Sequence, residues 1–516
     1  MIGAGVTAVV SDARPDGSAP ARIGGPYGAL LAASTDLGPT TAEVVRLTAA
    51  LNTADRPASL LDWAKRSDVS VRWRAGDTWA LIEGRPGAVA RALRVGIHDF
   101  RGMQGQVFYA SPHQPAVPVD ISPDVTGLGR IMSYTPHHVM SPPPPLEVPE
   151  RGLAPAALQR AYNLTPLKDA GYTGKGSTVV VFGFDGFDQS DLDLFSTTFA
   201  LPRFVPEIVG DQPPERDGET TMDLQAIHAL APDAKKVFVN ARPTVAGDAP
   251  YARIAAMLED TARRYPGAVW SFSIGWGCDK LVTAADLEPI RAAVRAAHRS
   301  GTTAFNASGD LAGLECKGGQ QWSSAPSDDD AGLDAVASLP EMTSVGGTTL
   351  STDLEGEWTA EQSWFDVPLS QGTGGGVSSL FERPVWQQWV QSERGSGKRL
   401  TPDVAAVADP FTGVKIVVGQ QFIVGGGTSL AAPIWAGLTA VINQYLTERG
   451  GEPVGYLNPV LYQIPQGDPL SALRDITVGG NAVADAGPGY DLATGLGTPD
   501  AGNLAMALWS ARRGGR

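Results

Sequence analysis

Gly425-Gly-Gly-Thr-Ser-Leu-Ala-Ala-Pro-Ile-Trp-Ala-Gly437 is the stretch on which the reading of this chain turns. Its opening glycines free the backbone to turn sharply after the strand-like runs 415–418 and 422–424, and from Leu430 onward the residues read as a buried helix. Ser429 therefore stands at a strand-to-helix turn. Its hydroxyl sits at a helix N-terminus, where free N–H groups and the helix dipole stabilise developing negative charge. Two readings are open for it, a nucleophile or a serine that only caps the helix. A phosphate-binding P-loop is disfavoured because its lysine is missing.

Upstream of this turn, strand-like and helix-like segments alternate: strand 178–182, helix 219–230, strand 237–240, helix 253–265, strand 268–274, helix 287–299 and strand 302–307. Such alternation predicts an α/β domain built on a parallel sheet, with right-handed crossovers placing helices on both faces. A chain of 516 residues exceeds what one core supports, so a second domain is expected. Region 25–114 reads as a small α+β module, with strands at 69–73, 78–83 and 106–110 and a helix at 86–94. Between the two lies Ser141-Pro-Pro-Pro-Pro-Leu-Glu-Val-Pro149, which can be neither helix nor central strand and reads as an extended linker. Residues 154–162 then read as a helix that opens the larger domain.

Composition narrows the function classes. A hydrophobic content of 43% and a charged content of 18% describe a globular protein rather than a disordered one. With 40 basic and 55 acidic residues the formal charge is −15, which disfavours nucleic acid and anionic membrane as partners and suits an acidic medium. Within 57–105, however, eight basic residues face five acidic ones, so the first module is locally basic and could dock on an acidic body. The uncharged window 416–447 is long enough to span a bilayer, but Pro433, the glycines and Gln420-Gln421 interrupt it, and a buried strand, turn and helix explain it better. The N-terminal apolar run Met1-Ile-Gly-Ala-Gly-Val-Thr-Ala-Val-Val lacks a basic flank and is not a convincing signal peptide.

A serine nucleophile needs a base. Of the six histidines, His98, His113, His137 and His138 fall in or near the first module and linker, and His298 ends a helix beside Arg299. His228 shares a helix with Glu219 and Asp223, but at about 100° per residue it lies about 180° from Glu219 and points away. Glu219 and Asp223 share one face of that helix at its start, an arrangement that ordinarily just complements the dipole. Asp310, in Asn306-Ala-Ser-Gly-Asp310, follows a strand at its C-terminal end, the edge of a parallel sheet where ligand-binding loops gather.

Taken together these motifs resemble the sedolisins, or serine-carboxyl peptidases. Gly427-Thr-Ser-Leu-Ala-Ala-Pro433 resembles the serine motif that sedolisins share with subtilisins, and no histidine stands in the His-Gly-Thr setting of subtilisins. Gly-Glu219-Thr-Thr-Met-Asp223-Leu resembles the Glu-x-x-x-Asp pair of the family, Ser-Gly-Asp310 its oxyanion-site aspartate, and Ser429 its nucleophile. Ser271-Phe-Ser-Ile-Gly-Trp-Gly277 is similar to a substrate-lining strand, which makes Ser273, Ile274, Gly275 and Trp276 candidate substrate-binding residues. Thr373-Gly-Gly-Gly-Val-Ser-Ser resembles the Gly-rich segment, and Pro402-Asp-Val-Ala405 a stretch that precedes the serine loop. The resemblance covers nearly the whole chain. It implies a subtilisin-like catalytic domain over 153–511, an inhibitory α+β pro-domain over 25–130, and a Pro-rich linker with the processing region over 131–152.

Further expectations follow from the resemblance. Asp475-Ile476 and Ala486-Gly-Pro-Gly-Tyr-Asp491 resemble a calcium site, in which Asp475 and Asp491 would supply carboxylates and Ile476, Gly487 and Gly489 backbone carbonyls to one Ca2+ ion; a Gly/Asp-rich turn without metal is the alternative. Some kumamolisin-like members carry an extra glutamate after the first core strand; Val181-Phe-Gly-Phe-Asp185 has none, and Asp185 is read as structural. Cys278 and Cys316 are the only cysteines and fall on loops near the proposed cleft, so one disulfide and an oxidising compartment are expected, with two reduced core thiols as the alternative.

The functional expectation is an acid-active endopeptidase made as a zymogen. Glu219 and Asp223 would act as the general base and acid pair and a protonated Asp310 would stand at the oxyanion. Its partners would be polypeptide substrates and its own pro-domain, with no nucleic acid or membrane. A secreted monomer is expected. A Ser/His/Asp hydrolase that uses His228, and a non-catalytic peptidase-like binding module, are the competing readings.

Overall fold

The computed structural model describes residues 20–103, 105–135, 138–139, 152–317, 327–366, 371–390, 397–464 and 471–514. The proline run at 141–149 lies outside the described residues.

Residues divide into two compact units. The first reaches Tyr134 and also takes in Gly247–Ala249 and Thr283–Glu288. Its main sheet is antiparallel, with strands in the spatial order Ser70–Arg72, Trp79–Gly84, Val45–Leu51 and Val125–Leu128. Helices Ala58–Arg66 and Pro86–Leu93 accompany it, and Leu47, Ala49, Leu60, Trp63, Ile82 and Val89 meet in one apolar core. Strand Val45–Leu51 sends Val45, Leu47, Ala49 and Leu51 into this core at every second position, though the sequence reading had not marked it as a strand.

In the second unit, the alternation read from sequence becomes a sheet. Its strands run in the order Glu207–Val209, Lys235–Asn240, Thr178–Gly183, Val269–Phe272, Thr303–Ala307 and Thr343–Thr352, each pair parallel. Val404–Val407 also pairs parallel with Thr343–Thr352, and Trp358–Ser363 pairs with it antiparallel. Central strand Thr178–Gly183 is apolar and buried from Val179 onward, as a strand with neighbours on both sides in a parallel sheet requires.

Helix Thr428–Thr447 runs through the middle of this unit, and 18 of its residues from Thr428 to Leu446 are buried, which is why it has no polar face. It packs along helix Glu219–Leu230. The approach is close enough that a Cβ on Gly437 would stand 3.1 Å from Leu230 Cβ and 3.4 Å from Ile227 Cα, so a side chain there would force the helices apart. No helix among the described residues is long and apolar enough to cross a membrane.

Candidate active site

Both helices begin at the C-terminal edge of the sheet, and their first turns bring the chemistry together. Gly427 precedes helix Thr428–Thr447 with φ +87°, a conformation that costs glycine nothing. Hairpin Val414–Val418/Gln421–Gly425 leads into it, as the runs on either side of 420 implied. A Cβ on Gly427 would lie 2.8 Å from Asp310 Oδ2 and 2.9 Å from Ser429 Oγ, so these two oxygens flank one small space that glycine leaves open.

Asp310 is held asymmetrically. Its Oδ1 accepts hydrogen bonds from the Thr428 N–H (2.8 Å) and the Thr428 hydroxyl (2.7 Å), and Thr428 Oγ1 in turn accepts from the Gly309 N–H (3.2 Å). Burial raises the Asp310 pKa to about 6, with the Thr428 bonds opposing the shift. The free oxygen is the one toward Ser429, so a proton on Asp310 belongs on Oδ2.

Glu219 and Asp223 stand one turn apart at the start of helix Glu219–Leu230, and both are buried. Neither oxygen of Glu219 has a hydrogen-bond partner among the described residues. Burial, then the charges of Asp223 and Asp185, push the Glu219 pKa well above the carboxylate range. The Ser429 hydroxyl is near enough to favour the ionised form without completing a hydrogen bond, and Ser429 Oγ instead lies 3.5 Å from the Gly426 carbonyl oxygen. Asp223 is raised likewise, by burial first, and its Oδ1 lies 2.9 Å from Ser273 Oγ.

Asp185 turns out to belong to this group. Its carboxylate accepts from the Gly218 and Thr220 N–H groups on either side of Glu219 and from the Thr220 hydroxyl (3.0, 3.1 and 2.5 Å). Sequence reading had left it structural, and only its place just beyond strand Thr178–Gly183 hinted at more. His228, by contrast, makes its contacts with Pro202, Lys236 and Phe204 rather than with Ser429. Its Nε2 bonds the Pro202 carbonyl (2.8 Å), its Nδ1 accepts from Lys236 (3.0 Å), and its ring stacks on Phe204. Burial lowers its pKa to about 3.

The other sequence-derived residues fall as follows. Ser273 and Ile274 are buried; the backbone of Ile274–Gly275 pairs antiparallel with His138–Val139. Trp276 is buried, and its N–H donates to Asp334 Oδ2 (2.5 Å). Cys278 and Cys316 are joined by a disulfide, so although Asp279 lies beside both sulfurs no thiolate remains to hold a metal there. Asp475 Oδ2 accepts from the Gly489 N–H (2.7 Å) and Asp491 Oδ2 from the Gly487 N–H (3.2 Å), so both carboxylates bind one loop. Burial raises both, neither has an ion-pair partner among the described residues, and this hard-oxygen set fits calcium.

A buried serine at a helix start, with buried carboxyls gathered at the neighbouring helix and loop, is an arrangement that suits a serine peptidase. The comparisons agree. The chain is 32% identical to kumamolisin of Bacillus sp. (strain MN-32) over 464 residues, which covers 83% of this chain and 78% of that protein. It is 28% identical to sedolisin of Pseudomonas sp. (strain 101) over 459 residues, covering 83% and 74%. It is 27% identical to tripeptidyl-peptidase 1 of Homo sapiens over 436 residues, covering 77% and 72%. Among solved structures, Pseudomonas sedolisin, a serine-carboxyl proteinase complexed with two molecules of pseudo-iodotyrostatin, superposes with a TM-score of 0.58 at 26% identity, over 70% of this chain and 98% of that one. No family model matches. The chain belongs to the sedolisin family of serine-type peptidases, and its large unit has the subtilisin-like α/β fold.

Proposed function

We propose that this chain is an acid-active serine-carboxyl endopeptidase made as a zymogen. Ser429 Oγ attacks the peptide carbonyl carbon, Glu219 takes the hydroxyl proton and returns it to the leaving amine, and Asp223 shares a proton with Glu219. Asp310, protonated on Oδ2, donates to the oxyanion; ionised, it would repel that charge. The observation that carries this reading is the placing of Asp310 Oδ2 and Ser429 Oγ on either side of Gly427, with the other Asp310 oxygen already occupied by Thr428.

The first module is the pro-domain and the region around 131–152 its processing site. Support comes from the antiparallel pairing of His138–Val139 with Ile274–Gly275, the way a peptide substrate adds a strand, so that the backbone of Ser273, Ile274, Gly275 and Trp276 is the substrate-binding edge. Asp475 and Asp491, with the carbonyls of Ile476, Gly487 and Gly489, hold one calcium ion whose charge offsets the half-buried Asp475 and the buried Asp491. A secreted monomer acting on polypeptides accords with the disulfide and the acidic surface.

Digestion of a mixed peptide library across pH, read by mass spectrometry, tests the reading. Cleavage should peak at about pH 4 and be absent in Ser429→Ala protein, which should also remain full-length in acid. Maximal cleavage above about pH 7, or cleavage that survives Ser429→Ala, sinks it.

A further inference from the structure

Pro433 lies four residues after Ser429, inside the helix that Ser429 helps to start. Proline has no N–H, so the Ser429 carbonyl lacks its regular helical donor. A buried carbonyl without a donor is costly, and a donor is present: Ser273 Oγ lies 3.0 Å from the Ser429 carbonyl oxygen. The same Oγ lies 2.9 Å from Asp223 Oδ1. Ser273 is itself buried, on the segment between strands Val269–Phe272 and Ile274–Gly275.

A serine hydroxyl has one proton but can accept as well as donate. If that proton serves Asp223, the Ser429 carbonyl goes without. Both demands are met only when Asp223 carries a proton on Oδ1, donates it to Ser273 Oγ, and Ser273 donates its own to the Ser429 carbonyl. We infer that Ser273 is a positioning residue that places the shared proton of the Glu219/Asp223 pair on Asp223, leaving Glu219 as the ionised base beside Ser429. No proton is gained or lost by Ser273; its hydroxyl only fixes which way the chain of bonds runs.

The surroundings oppose two charges at once, so the pair holds one proton, and it is the Ser273 geometry that assigns it. The charges acting on Asp223 come from Glu219 on its own helix and from Asp185 on the loop after strand Thr178–Gly183, with Asp217 acting on Asp185 and Asp310 on Glu219. All are negative. Helix Thr428–Thr447 and strand Val269–Phe272 bring no charged side chain to the pair. The inference rests on the proposed function for its catalytic meaning, but its test does not require cleavage.

Infrared titration of the full-length Ser429→Ala protein follows the protonated-carboxyl band of Asp223, assigned by its loss in Asp223→Asn. Adding Ser273→Ala removes the acceptor, so the band's midpoint should fall by about 1 pH unit, whereas Ser273→Thr should hold it within about 0.3 units. If Ser273→Ala protein does not fold, Ser273→Cys, a weak acceptor of similar size, should lower the midpoint in the same direction. A midpoint that is unchanged or raised in the folded alanine or cysteine variant overturns the inference. In protein with Ser429 restored, the alkaline limb of the rate profile should move down with the midpoint. A shifted midpoint in a protein without acid peptidase activity would leave Ser273 in its role and remove the proposed function instead.

Discussion

Glu219 and Glu341 are two buried glutamates in the same unit with opposite fates. Glu341 receives Arg291 at 2.9 Å and Arg295 at 3.0 Å, and although burial works against its charge, these arginines hold its pKa below the usual value. Glu219 receives no hydrogen bond among the described residues, faces Asp223 and Asp185, and is pushed well above it. A buried carboxyl that is paired secures the fold, whereas one kept unpaired is a local cost that persists where chemistry uses it. The difference marks Glu219, of the two, as the candidate for chemistry without reference to any motif.

Replacing each by glutamine should pull the two apart most strongly. Glu219→Gln should lower kcat/KM by about 10³-fold or more while unfolding no earlier than wild type at neutral pH, since a poorly accommodated charge is gone. Glu341→Gln should keep kcat/KM within a few-fold and lose about 2 kcal/mol of stability, less than a fully enclosed pair because the arginines are partly exposed. Equal loss of activity, or Glu219→Gln as the less stable variant, would break the contrast.

Stability against pH comes next in size. Burial raises Asp310 to about 6 and Asp334 to about 7, so the folded chain binds protons there that the unfolded chain has released. Their contribution is fully present below the unfolded carboxylate pKa of about 4 and is lost as pH rises through 6 and 7, amounting to a few kcal/mol. Glu341, with its pKa lowered, works in the other sense and loses its contribution only as the medium falls below about pH 4. Urea midpoints measured on Ser429→Ala protein should therefore decline from about pH 4.5 to about pH 7; a rise over that interval would contradict the assignment.

The smallest effect concerns Asp475 and Asp491, raised like Glu219 but set where a cation could do for them what arginine does for Glu341. Calcium at about 100 times its dissociation constant should add about 2.7 kcal/mol to unfolding of chelator-treated protein, and Asp491→Asn should abolish the increment. An increment that survives Asp491→Asn would place the ion elsewhere.

Much of the frame was legible in the chain itself. Helix 219–230 was read with the bounds it has, and its pairing of residues four apart follows from helical geometry alone. The alternation of strands and helices foretold the parallel sheet, but strand Thr343–Thr352 passed unread because Gly346-Gly347 and its threonines look like a turn until neighbours on both sides bury them. Ser429 at a strand-to-helix turn was equally legible, yet its companions were joined to it by resemblance, since no local pattern links residues 219, 310 and 429.

What the sequence by itself determined is therefore the alternation of strands and helices around the site and, for helix 219–230, the residue that starts it, because these depend on propensity and on periods of two and 3.6 residues. What only the tertiary structure decided is which carboxyls go unpaired. Thr428 closing one side of Asp310, Asp185 straddling Glu219, and Ser273 standing between Asp223 and the carbonyl that Pro433 leaves open all bring together residues far apart in the chain. Protonation depends on burial and on the donors within about 3 Å, and both are properties of packed neighbours rather than of sequence order.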